Sequence, residues 1–145
     1  MKVFSLAAVN AVINNDSYGQ ISIGGAGKLL DSIGYSFDNA MFTMSSAPDG
    51  GAMVAHNASR AGSVSFQVEQ TSPYIVSLSE FFKWCWAHPE SAESTISVTD
   101  DTGNMVFDAI GVFPSRFPNN TIQAQQQSRT FDFVAAEINP QERNI

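Results

Sequence analysis

Residues 24–28, Gly-Gly-Ala-Gly-Lys, are where the chain comes nearest to a recognised chemical motif. Closely spaced glycines followed by a lysine can cradle phosphates on backbone N–H groups. The full phosphate loop also needs a glycine five residues before its second one and a Ser or Thr after the lysine. Ser22 and Leu29 occupy those places, so the match fails. His56 and His88 stand alone, without the spacing of metal ligands. His56 falls beside a turn-rich loop and reads as a surface or interface residue. His88 follows a helical pattern, where a partial positive charge is favourable. Asp100-Asp101 and the Glu90/Glu93 pair lie in turn and link segments, where solvated charge is the simpler reading. There is no Gly-x-Ser-x-Gly elbow. Cys85 is the single cysteine, so no internal disulfide can form, and it lies on an apolar stripe as a small buried hydrophobe would. Asn57 and Asn119 match the glycosylation pattern by chance if no leader directs secretion. No catalytic constellation, metal site or cofactor is expected.

The elements that hold these residues are mostly strands. Residues 62–70 alternate, with Val64, Phe66 and Val68 on one side and Ser63, Ser65, Gln67 and Glu69 on the other, as a strand with one wet face does. Ser72 is placed to cap a helix, and Pro73 suits its first turn. Ile75, Leu78, Phe82 and Cys85 then recur at helical spacing, with Phe81 and Trp86 widening the stripe. The helix must stop by Ala87, because Pro89 disfavours helix in the residue before it. Other strands are predicted at 5–13, 20–24, 33–37, 40–44, 52–55, 95–99, 105–113 and 129–136. Turns are predicted at 14–19, 45–51 and 100–104, and a break at 24–27. Residues 114–120 read as a loop between prolines, 121–127 as a glutamine-rich stretch, and 139–145 as a polar tail. One domain over 1–145 accounts for the pattern: an antiparallel β-sandwich or barrel with a single amphipathic helix.

Composition adds a constraint. The chain has 145 residues, 14 acidic and 7 basic, for a net charge of −7, which disfavours nucleic acid as a direct ligand. Only 14% of its residues are charged, where ordinary domains run near 25%. Buried interfaces are depleted of charge, so the composition favours a subunit that covers its surface with copies of itself. No apolar run is long enough to span a membrane. The opening MKVFSLAAVNAVIN is interrupted at Asn10 and reads better as a strand than as a signal peptide.

This order of parts resembles the tail tube proteins of contractile-tailed bacteriophages. The likeness lies in a first strand (FSLAAVNAVIN), then QISIGGAG, a segment ending in Phe37-Asp38, and a hairpin tipped by APDGG. Its closest echo is GSVSFQVEQTSPYIVSL, a strand followed by the Ser-Pro that opens the helix. The resemblance implies a β-sandwich closed by a helix, with six subunits in a ring around a continuous inner β-barrel. Rings would stack into a conduit for DNA, and the type VI secretion tube protein is similar in fold. It also implies sheath, tape-measure and baseplate partners, a place in the virion tail, and synthesis in the host cytoplasm. Pairing edge strands around a ring would remove every exposed edge. On this reading the loop with Ser45, Pro48, Asp49, Gly50, Gly51, Met53, Val54 and His56 contacts the next ring, because exposed Met and Val need a partner to cover them. The alternatives are another tail component, such as a tube terminator or baseplate part, and a β-sandwich module binding carbohydrate through Trp84 and Trp86. An enzyme is not expected.

Overall fold

In the computed structural model, residues 9–24, 30–69, 72–100, 105–118 and 128–140 are described. Among these residues nine strands form: β1 (Val9–Asn15), β2 (Gly19–Gly24), β3 (Leu30–Phe37), β4 (Phe42–Ser46), β5 (Ala52–His56), β6 (Gly62–Glu69), β7 (Ser94–Asp100), β8 (Met105–Arg116) and β9 (Ser128–Pro140). One helix, α1 (Tyr74–Ala87), follows β6, and a short 3-10 turn (Pro89–Ser91) follows the helix. Seven strands make one sheet in the order β2-β1-β7-β8-β9-β6-β3, while β4 and β5 pair only with each other. Every pairing is antiparallel.

The large sheet curls into a sandwich because β8 and β9 run through both of its halves. Along β8, Phe107 and Ala109 are buried, then the alternation slips so that Val112 is buried too. Along β9 the same slip separates Ala135 from Ile138. Gly111 sits at the bend with φ +64°, and a Cβ there would come within 2.8 Å of the Ala136 methyl. Only glycine meets both demands cheaply. The curl brings Tyr35 of β3 within 4.5 Å, centroid to centroid, of Phe107 of β8.

α1 closes the sandwich on its buried residues Ile75, Leu78, Phe81, Phe82 and Cys85. Phe82 meets Phe131 and Phe133 edge-on at 5.3 and 5.1 Å, and Phe133 meets Phe66 at 5.7 Å. Such edge-to-face packing is the arrangement that ring quadrupoles favour. Pro73 already has helical dihedrals, and the Ser72 hydroxyl accepts the Tyr74 N–H at 3.2 Å, so Ser72 does cap the helix. Trp86 departs from expectation: it is 78% exposed and does not widen the stripe. The stripe widens on its other flank, where Tyr18 from the β1–β2 turn packs on Phe81 at 5.1 Å and on Trp84 at 5.3 Å.

Several boundaries move. β1 runs on through Asn14 and Asn15, which the sequence assigned to a turn, and the turn shrinks to residues 16–18. Asn15 is the reason. It is only 2% exposed, and its side-chain oxygen accepts the N–H groups of Ser17 and Tyr18. Its nitrogen donates to Ser91 O, Glu93 O and Ser94 Oγ at 2.9, 3.2 and 3.0 Å. β4 starts at Phe42 rather than residue 40. β8 passes through Pro114 to Arg116 where a loop was predicted, and β9 includes Asn139 and Pro140 where a tail was predicted. Proline is tolerated there because the strand is an edge at that point. The predicted starting residues of the first strand, the turn at 101–104 and the stretch 121–127 lie outside the described residues.

Two expectations follow from the core. Leu78→Asp should leave the protein insoluble or unfolded, since it forfeits about 1.5–3 kcal/mol of burial and buries an unpaired charge. Wild-type melting of that variant would show the buried face to be misassigned. Burial also pushes the Cys85 thiol up from 9.0 to about 11. Below pH 9 folded and unfolded chains both keep that proton; above it the unfolded chain releases its proton first, so stability should decline between pH 9 and 11. Tyr18, raised by burial and then by the charges of Glu80 and Cys85, adds the same sign at higher pH. Thermal melts across that window should fall with pH, and Cys85→Ala should flatten the slope between pH 9 and 11. A slope unchanged in that variant would refute the assignment.

Candidate assembly surfaces

The β4–β5 ribbon is built by its turn. The Ala47 N–H donates to Gly51 O at 2.7 Å, the Gly50 N–H to Ala47 O at 3.0 Å, and Asp49 Oδ1 accepts the Gly51 N–H at 3.0 Å. Gly50 has φ +89°, which a side chain would resist. The register pairs Phe42 with His56, Met44 with Val54 and Ser46 with Ala52 on one face, and Ser45 with Met53 on the other. Phe42 and His56 stack at 4.9 Å. The first face is therefore mostly apolar, yet every residue of both strands is exposed, Met44 to 75%. Two strands alone are marginal in water. Among the described residues, nothing buries either strand of the ribbon.

All eight residues expected in the contact loop are exposed on this ribbon or its tip: Ser45, Met53, Val54 and His56 on the strands, Pro48, Asp49, Gly50 and Gly51 in the turn. The ribbon is anchored at its root. Asp38 N–H donates to Ala61 O, Asn57 N–H to Met41 O and Ile138 N–H to Arg60 O, at 3.0, 2.9 and 3.0 Å. Arg60 donates to Asn139 Oδ1 at 2.9 Å and lies 3.8 Å from Glu137, an exposed pair of little energetic weight. Between root and sheet lies a cleft of about 660 Å³ lined in part by Phe37, Met41, His56, Arg60 and Ile138. Sequence reasoning found the loop but missed Phe42 and Met41. The alternation of Phe42 and Met44 with Thr43 and Ser45 is the signal that marks them.

A second surface is the wet face of β3, β6 and β9. It carries Ser32, Ser36, Ser63, Ser65, Gln67, Glu69, Thr130 and Asp132, with no Lys or Arg among the outward residues of these strands. Ser32 donates to Gln67 at 3.2 Å, and the Ser36 and Ser63 hydroxyls lie 3.0 Å apart. Gly62 lets two elements approach closely here, since a Cβ on it would overlap the Ser36 carbonyl. Hydroxyls and amides dominate, and the charges on this face are acidic.

The helix residues place no chemistry on the surface: Ile75, Leu78, Phe82 and Cys85 are all buried. His88 ends the helix, its ring stacked on Trp84 at 4.8 Å and its Nδ1 3.0 Å from Trp84 O. Trp84 is thus packed, and Trp86 stands apart from it, so the two do not form an aromatic platform for a sugar. Among the described residues no group of three His, Cys, Asp or Glu side chains could hold a metal ion. Nor is any helix there long and apolar enough to cross a membrane.

Solved structures that share this fold include three from a contractile injection system and a prophage. The tube-terminating cap of the anti-feeding prophage aligns with TM-score 0.58 and 10% identity, over 99% of this chain and 93% of that one. A chain of the PVC sheath–tube complex, from an extracellular contractile injection system in its extended state, gives 0.56 and 11%, over 94% and 89%. A chain of the PVC sheath/tube terminator gives 0.52 and 12%, over 95% and 96%. At such identities the likeness is one of fold. No curated protein sequence matches. The family model described as bacteriophage PhiTE tail tube protein matches residues 1–141, and the chain belongs to that family.

Proposed function

We propose that this tail tube protein is a structural, non-enzymatic subunit whose six copies form a ring, and that rings stack through the β4–β5 ribbon into a conduit for DNA. The observation that carries the reading is the ribbon itself. It exposes a mostly apolar face that, among the described residues, nothing covers, and a neighbouring copy is the natural cover. The low charge of the chain supports the same reading. The neighbouring structures include a sheath–tube complex and a baseplate, which supports sheath and baseplate as partners here. A tape-measure protein in the lumen and synthesis in the host cytoplasm complete the reading. A second reading, a tube terminator, is favoured by the likeness to the cap and to the PVC terminator. Negative-stain microscopy of purified protein separates them, since a tube subunit grows long tubes and a terminator stops at single rings.

Replacing residues 47–54 with a short Gly-Ser link should leave circular dichroism and melting near wild type while abolishing tube growth. Normal tubes from that variant would sink the stacking role, and an unfolded variant would mean that the ribbon supports its own domain. We further expect the wet face of β3, β6 and β9 to line the lumen. A wall of hydroxyls with acidic charge lets DNA slide, whereas each Lys or Arg contact to phosphate adds salt-dependent affinity. A cryo-EM map of the tube with a lumen lined mainly by Lys and Arg would overturn this.

A further inference from the structure

We infer that copies join within the ring through β3 of one copy and residues 113–116 at the end of β8 of the next, paired antiparallel, and that β2 is closed to such pairing. The inference rests on the ring reading above and specifies which surfaces make it.

The sheet ends at β2 and β3, so the simplest ring would join those two. Tyr74 obstructs it. Its hydroxyl donates to Gly24 O at 2.7 Å and accepts the Gly24 N–H at 2.9 Å. In an antiparallel strand the N–H and C=O of one residue point to the same side. Gly24 lies opposite Asn10 of β1, yet both its polar groups go to Tyr74. They therefore point outward, and the tyrosine stands where a further strand would dock. On a six-residue strand this leaves outward groups only at Gln20 and Ser22, next to the turn. Gly24 must also be glycine for this, because its φ is +153° and a Cβ would come within 2.5 Å of Val9 O.

The end of β8 is open instead. β7 begins at Ser94, opposite Val112, because Asn15 grips the chain at Ser91, Glu93 and Ser94. Beyond Val112, β8 has β9 on one side and, among the described residues, no strand on the other. Pro114 lies in this stretch, and proline is confined to edges.

Strand direction selects the same pair. From β8 through β9 and β6 to β3 there are four antiparallel strands, so β3 and β8 run in opposite senses. Subunits related by rotation around a ring keep their strand sense. A β3–β8 junction is then antiparallel like the rest of the sheet, whereas β2 against β3 would be parallel. Beside the end of β8 lies an apolar cleft of about 220 Å³ lined in part by Phe82, Trp86, Phe113 and Phe117. A second copy crossing there would cover Trp86.

Cysteine pairs test the assignment, since the native thiol of Cys85 is buried and silent. Ser115→Cys combined with Ser32→Cys or Ser36→Cys should, on oxidation of assembled particles, give a ladder of covalent multimers on non-reducing denaturing gels. The single variants should not. Ser22→Cys combined with Ser32→Cys or Ser36→Cys should give none. A ladder from a Ser22→Cys pair, or no ladder from either Ser115→Cys pair in particles that sediment as rings, overturns the edge assignment. Wild-type protein that sediments as a monomer at every concentration overturns the ring reading itself.

Discussion

The bend shared by β8 and β9 is the constraint on which the rest of this subunit depends. Seven antiparallel strands laid flat would leave one whole face apolar and uncovered. Because two strands slip their alternation at the same level, the sheet turns on itself and its two halves cover each other. Gly111 sets the position of that turn, and the row of Phe66, Phe131 and Phe133 fills the space it encloses. α1 then needs only a narrow face to seal the remaining side. The helix is thus a lid on a core that the strands have already shaped.

Asn15 is the polar counterpart of that apolar arrangement. A buried amide is costly unless each of its groups is bonded. Here its oxygen accepts two N–H groups and its nitrogen has three acceptors within reach. It joins the first turn of the chain to the link after the helix, 76 to 79 residues away. It thereby decides where β7 starts and how much of β8 remains unpaired on one side. One side chain inside the subunit so sets the shape of a surface outside it.

What the sequence disclosed follows from which forces act locally. β6 and α1 were legible because each buries a single face, so Val64, Phe66 and Val68, and then Ile75, Leu78, Phe82 and Cys85, carry the period of their element. The ribbon was legible from its turn residues and from Met53 and Val54. What was hidden depended on distant partners. Asn14-Asn15-Asp16 has the composition of a turn, and only the carbonyls of residues 91 and 93 make Asn15 a core residue. Pro114 reads as a break, and it is tolerable because β9 flanks it on one side while, among the described residues, no strand flanks the other. Trp86 reads as core because its phase lies near the stripe, but the turn carrying Tyr18 covers the opposite flank of the helix.

The pairing of β1 with β7 has a consequence for synthesis. Val9 lies opposite Asp100, and Asn15 opposite Ser94. At roughly 5–20 residues per second, β1 leaves the ribosome about 4–20 s before β7 exists to receive it. During that interval Ala11, Ile13, Ile21 and Ile23 form an apolar row on a short hairpin with nothing to rest against. On the other face Asn10, Asn14, Gln20 and Ser22 surround a single apolar residue, Val12, so the nascent chain offers one strongly sticky side rather than two. Among the described strands β9 comes last in chain order, yet it is a central one, so the sheet is completed only after β9 has been translated. Translation therefore times the subunit: until β9 is made, the sheet has no finished edge to offer another copy.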